Sequence, residues 1–337
     1  MSTSRVLDRA DVEAALAVAV RAPSIHNTQP WGWRWDGTTL ALRADRTRQL
    51  QVADPDGHSM LVSCGAALHL TQLALRAEGF VVETEVLPHS SDPDLLAIFR
   101  VVGSHEPDPQ VLTEVDAALA RRSDRRPYQA EQLPEDQIEH LRQAGSDAVA
   151  YVDFPRDRDQ AVDLAVAVSW ADSIEKRYKE YQQEMQRWLH DPDVHATSDG
   201  IPLTAVPRIE PGHQRHLEVP QRDFEVGVVG RELIAQDQDE KARIGVIFTR
   251  TDSPEDRLGA GAAMMRVMIA AQIAGLATCP LSQAVDLPAL RGRLQVLMNW
   301  TGHPQMMLRI GYPGSTLGDP VRTPRRSVSA VLDIAGA

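Results

Sequence analysis

Two apolar segments of this chain follow one plan, and that pairing constrains the fold more than any other feature. Gly65-Ala66-Ala67-Leu68 with Gly79 is echoed by Gly261-Ala262-Ala263-Met264 with Gly275 at the same internal spacing. Small residues on a helix let another backbone approach closely, and a glycine after the last apolar position closes the helix in the left-handed region. The repeat therefore predicts two long core helices and an internal duplication. The plainer alternative is that Gly-Ala-Ala recurs by chance in an alanine-rich chain. Both segments are interrupted by polar residues, among them His69, Gln72, Arg76, Arg266 and Gln272, so no membrane span is expected.

At 337 residues the chain suggests two domains or one large duplicated unit. A formal charge of -12 argues against nucleic acid or an anionic membrane as partner. Cys64 and Cys279 are the only cysteines, too few for a disulfide framework, and no secretory pattern opens the sequence, so a cytoplasmic location is expected.

Along the first half, residues 1–105, Asp8 is placed to cap a helix carrying Val12, Ala15, Leu16 and Ala19 on one face. Trp31, Trp33 and Trp35 alternate along a strand with one core-facing side, and Asp36-Gly37 supplies a tight hairpin turn. A helix over Ser59 to Glu78 and strands over Phe80 to Leu87 and Leu95 to Val102 follow. The second half, residues 106–337, opens with helices near Val111 to Arg122 and from Pro134. After a strand over Ala148 to Phe154, Asp159 to Leu189 reads as one long helix. Residues 191–222, rich in proline, read as an inserted loop of the kind that forms lids. Strand Ile244 to Thr249, a helix ending at Gly275, a short helix from Pro288, strand Met306 to Ile310 and a loosely ordered tail complete the chain.

Ala22-Pro23-Ser24-Ile25-His26-Asn27-Thr28-Gln29-Pro30-Trp31 resembles the flavin-contacting A-P-S-x-x-N-x-Q-P-W segment of the nitroreductase superfamily. Arg121-Arg122-Ser123-Asp124-Arg125 resembles its R-R-S-x-R element, and Ile310-Gly311-Tyr312-Pro313 its late I-G-Y-P turn. In ordinary members both flavin-binding elements lie in one short subunit with R-R-S-x-R first, and two subunits pair. Here the order is reversed, as in a fused dimer that keeps one composite site, similar to the tandem, Acg-like branch. The resemblance implies an α+β fold, nitroreductase-like and duplicated within one chain, with antiparallel-rich sheets packed by long core helices. It also implies a monomeric pseudo-dimer holding one FMN.

For cofactor binding the resemblance singles out Pro23, Ser24 and Asn27 in the first half, and Arg121, Arg122, Ser123 and Arg125 in the second. The segment Gly275 to Gln283 resembles the loop whose backbone reaches the redox-active edge of the flavin and implies Pro280, Leu281 and Ser282 as contacts, although many relatives carry an acidic residue at the position of Ser282. Arg325 and Arg326 resemble the basic element that completes the phosphate site, Arg325 being the better match. A flavin phosphate is nearly a dianion, for which arginine is the natural partner. The competing reading is that Arg121 and Arg122 complement a helix C-terminus and that the tail arginines are solvated. His26 is expected at the surface, and Cys279 reads as buried structure.

No phosphate-binding loop, His-Glu-x-x-His or Cys-x-x-Cys is present, and His213 and His216 lack ligand partners, so no metal is expected. No catalytic side chain is assigned. The resemblance implies an oxidoreductase passing hydride from NAD(P)H through FMN to a small aromatic acceptor such as a nitroaromatic or quinone. The alternative is a flavin-storage protein with a lid and little turnover.

Overall fold

The computed structural model describes residues 6–175, 177–194, 196–206, 241–297, 299, 301–314 and 318–335. Helix α1 (Arg9–Ala19) begins with a reciprocal capping box between Asp8 and Asp11. Strands β1 (Trp31–Trp35) and β2 (Thr39–Ala44) form the hairpin around Gly37, whose φ of +94° explains the glycine. Helix α2 (His58–Ala77) is buried along most of its length and leads to β3 (Phe80–Val86) and β4 (Leu95–Ser104). Among the described residues it is the one helix long and apolar enough to cross a membrane, and it lies inside the core.

Helices α3 (Pro109–Ala120) and α4 (Glu135–Gly145) precede β5 (Ala150–Asp153), α5 (Arg158–Glu175), α6 (Lys179–Arg187) and the short strands β6 (Leu189–His190) and β7 (Ile201–Pro202). Strand β8 (Arg243–Thr249), helix α7 (Pro254–Ile273), strand β9 (Ala277–Leu281), helices α8 (Gln283–Asp286) and α9 (Pro288–Leu297), and β10 (His303–Gly311) follow. The last elements are α10 (Val328–Val331) and β11 (Leu332–Ile334).

These strands make two main sheets, ordered β11-β1-β2-β4-β3 and β5-β8-β10-β9, antiparallel apart from the parallel β11–β1 pair. Between them run α2 and α7, the two helices announced by the repeat. Their contact is reciprocal: a Cβ on Gly65 would lie 2.0 Å from the Leu258 carbonyl oxygen, and one on Gly261 would lie 1.9 Å from that of Val62. Each glycine admits the other helix's backbone. Trp31 and Trp33 are fully buried in the same core, as their alternation predicts.

Three expectations are corrected. The segment expected as one helix over Asp159 to Leu189 divides into α5 and α6, with Arg177 and Tyr178 in a turn between them. The tail is not loosely ordered, because β11 pairs with β1 from Trp33↔Leu332 to Trp35↔Ile334 and adds to the sheet of the first half. His26 is buried, not at the surface. Of the insertion at 191–222, residues 207–222 lie outside the described residues, as do His213 and His216.

Candidate functional site

The turn after α1 is strained into an unusual shape: His26, Asn27 and Gln29 all have positive φ, at 45°, 57° and 50°. It is held on α2 by Ser63, whose hydroxyl accepts from Ile25 N at 3.1 Å and donates to the Ser59 carbonyl at 2.6 Å. Ser24 Oγ accepts from Gln29 N at 2.9 Å and closes the turn on itself. Pro23, Ser24 and His26 thereby form one wall of a cleft of about 710 Å³, counting its open mouth.

The opposite wall comes from the second half. Ser123 bridges to Thr278, and Asp124 N donates to the Thr278 carbonyl at 2.9 Å, which lays residues 123–125 beside β9. Arg309 of β10 fixes the segment from behind. Its fully buried guanidinium stacks 3.6 Å from the Tyr128 ring centre and donates to the carbonyls of Asp124 and Arg126. Arg126 is neutralised by Asp124 at 2.8 Å. Ser123 and Arg125 then face the cleft with Cys279, Pro280, Leu281, Ser282 and Gln283, over apolar walls of Val62, Met264 and Met306.

Alternation along 121–126 divides the arginine motif between two sides. Ser123 and Arg125 line the cleft, whereas Arg122 and Arg126 line a separate, open hollow with Arg322 and Asp319. Arg122 Nη1 donates to the carbonyls of Leu119, Ala120 and Arg121, which makes it the cap of α3. Arg326 donates to the carbonyls of Gln29, Trp31 and Ala330 and so ties the tail to the turn.

Arg121 and Arg325 meet at the Arg21 carbonyl, to which both donate, at 3.2 and 3.4 Å. Arg325 also donates to Asn27 Oδ1 at 2.8 Å, while Asn27 Nδ2 donates to the carbonyls of Gly200 and Pro324. Neither Asn27 nor these two arginines line the cleft itself. They sit immediately behind Pro23, Ser24 and Ser123. Arg121 Nε and Nη1 and Arg325 Nε are buried without a hydrogen-bond partner among the described residues. Burial and then the charge of Arg122 and Arg21 bring Arg121 down to about 10. Burial and then Arg121, Arg21 and Arg122 push Arg325 well below the ordinary arginine range. Two buried like charges with unpartnered N–H groups, shifted only by burial and by other arginines, form an arrangement that an anion would complete.

A strap crosses this region. Residues 198–201 bond to the turn through Gln29 Nε2 to the Ser198 carbonyl at 2.9 Å and Gly200 N to the Asn27 carbonyl at 3.3 Å. Arg48 pairs with Asp199 and lies 5.5 Å over the Trp188 ring. Glu184 of α6 accepts from Gln51 N, Val52 N and Ala53 N, at 2.6, 3.1 and 2.8 Å. Arg309, Glu184 and Gln283 were not singled out from the sequence. Arg309 and Glu184 sit in no recognisable motif, Gln283 ends the segment that resembles the flavin-edge loop, and the roles of all three arise from contacts across the fold.

A model described as Nitroreductase family matches residues 118–312. A Mycobacterium tuberculosis protein provisionally named an NAD(P)H nitroreductase is 32% identical over 334 residues, covering 97% of this chain and 92% of that protein. A second from the same organism, provisionally named NAD(P)H nitroreductase acg, is 29% identical over 324 residues, covering 96% of this chain and 95% of its own length. Among solved structures, an FMN-bound nitroreductase from Bacteroides fragilis aligns at 15% identity and a TM-score of 0.39, over 63% of this chain and 94% of that one. A match spanning more than half the chain, and a relative similar across nearly all of it, establish that the chain belongs to the nitroreductase family.

Proposed function

We propose that the chain is a flavoprotein oxidoreductase in which one FMN occupies the cleft between the Asn27 turn and the Ser123–Arg125 strip. The observation that carries this reading is the pair Arg121 and Arg325, whose buried, unpartnered N–H groups fit a phosphate dianion. Val62, Met264 and Met306 fit the faces of a planar ring, and Ser24, Ser123, Arg125 and Gln283 supply polar groups for its edge and side chain. FMN supplies hydride and electron transfer when bound. The protein's own part is to bind, orient and shield. Arg121 and Arg325, behind the cleft wall, would supply positive charge for the phosphate, Arg309 fixes the strip that carries Ser123 and Arg125, and β9 delivers Pro280, Leu281 and Ser282. NAD(P)H is the proposed donor and a small nitroaromatic or quinone the proposed acceptor. The chain works as a monomer, its halves 1–105 and 106–337 standing in for two subunits, which sedimentation tests.

A second reading, flavin storage with little turnover, is favoured by the strap bonded to Asn27 and Gln29. The visible spectrum of the purified protein followed by addition of NADPH separates the two. A yellow protein that bleaches promptly is a reductase. A yellow protein that keeps its colour is a store, and a colourless one that ignores added FMN overturns both readings.

A further inference from the structure

Gln283, the first residue of α8, is 1% exposed and lines the cleft, yet its Nε2 has no hydrogen-bond partner among the described residues. Of its apolar neighbours in the cleft, Leu281 and Val62 offer no side-chain acceptor and the sulfurs of Met264 and Met306 only weak ones, and no serine or histidine of the lining bonds its Nε2. Burying an amide N–H unpaired is costly, and packing alone does not call for a polar side chain here. We propose that Gln283 donates a hydrogen bond from Nε2 to an acceptor on the polar edge of the bound flavin ring, and so raises both FMN affinity and the ring's readiness to accept electrons. This inference rests on the flavin reading. An N–H fixed in a dry cleft favours the electron-richer, reduced ring over the oxidised one, because charge on the acceptor atom grows on reduction. Gln283 thus adds a polar side chain to the cleft beside Ser282.

The test compares wild type with Gln283→Met, which keeps side-chain volume without a polar group, and with Gln283→Glu, which keeps the shape and loses the donor. FMN affinity by fluorescence titration, the midpoint potential of bound FMN, and the rise in Tm on adding FMN are measured for all three. Both variants are expected to bind FMN about three- to tenfold more weakly, with a lower midpoint potential. Apo Gln283→Met is expected to melt at or above the wild-type temperature but to gain less from FMN. Equal affinity and potential in all three proteins would overturn the role of Gln283 while leaving the flavin reading intact. Failure of the wild type itself to bind FMN would overturn both.

Discussion

Asn27 and Arg325, separated by 298 positions, share a 2.8 Å hydrogen bond from the guanidinium Nη1 to the amide Oδ1. Asn27 spends its amide on holding a buried arginine, the Gly200 carbonyl and the Pro324 carbonyl together. It acts behind the cleft as a positioning residue. Asn27→Ala removes all three bonds at a position whose φ of 57° asparagine tolerates better than alanine. A loss of about 2 kcal/mol is expected, read as a lower urea midpoint at unchanged m-value. An unchanged midpoint would count against the shared role.

Arg121→Met is expected to leave the apo protein as stable as wild type or more so, because it removes a buried cation that faces Arg21 and Arg122. The same substitution should weaken FMN binding at least about tenfold, through loss of a charge-assisted hydrogen bond. Thermal unfolding without FMN and a fluorescence titration measure the two effects separately. A variant destabilised in the apo state but unchanged in affinity would contradict the anion site.

Glu184→Ala leaves the Gln51, Val52 and Ala53 N–H groups without their shared acceptor. The expected result is faster amide exchange across residues 48–54 and 179–206, with only a small fall in global Tm. Flavin release should also quicken if the strap at 198–201 gates the cleft. Exchange confined to wild-type rates would show that α6 is held elsewhere.

Asp54 contributes a distinct part of the pH dependence of stability. It caps α2 by accepting from Ser59 N and Met60 N, yet burial, with Asp286 next in weight, pushes its carboxyl up to about 7. The folded state therefore holds this proton more tightly than the unfolded chain does. That contribution is complete below the ordinary value of 3.8 and is lost as pH rises through 7. Wild type should lose stability relative to Asp54→Asn between about pH 4 and 7. Urea melts of both proteins across that window check it, and parallel pH profiles would exclude Asp54 as the source.

The helix crossing gives the sharpest mutational test. Gly65→Ala or Gly261→Ala would drive a methyl group into a backbone carbonyl at 2.0 or 1.9 Å. Backbone cannot yield as a side-chain tip does, so each is expected to cost about 3 kcal/mol or more. Gly292→Ala, where nothing lies within 4 Å, serves as the control at an exposed position of α9.

What could be read from residues alone follows from how local its cause is. The repeat exposed α2 and α7 because small residues and a closing glycine sit within one helix, and Asp36-Gly37 exposed the first hairpin for the same reason. Strand β11 was hidden, since three residues containing Asp333 carry no pattern and their partner, β1, lies at the other end of the chain. The break between α5 and α6 has no glycine or proline to announce it. There α5 packs on the second sheet's core while α6 turns away to bring Glu184 to residues 51–53. Pro23, Ser24, Ser123, Arg125, Pro280, Leu281 and Ser282, drawn from separate motifs, line one cleft. Arg122 goes instead to the end of its own helix, an outcome open from the start, because a motif gives side-chain type and not direction. Gln283 ends the segment that resembles the flavin-edge loop, but its side chain is distinguished only by burial with Nε2 unpartnered among the described residues.

The parallel strand and the arginine that return to the first half also set an order of events during synthesis. A nascent chain has no Arg325 beside Asn27 until the 298 positions between them have been translated, and the hairpin edge at Trp33 to Trp35 stays open until Leu332 to Ile334 emerge. An anion that needs both arginines therefore cannot be captured by the early product on the ribosome. Starvation for the ligand would be felt by finished molecules, after release, as a reversible shortfall in their stability.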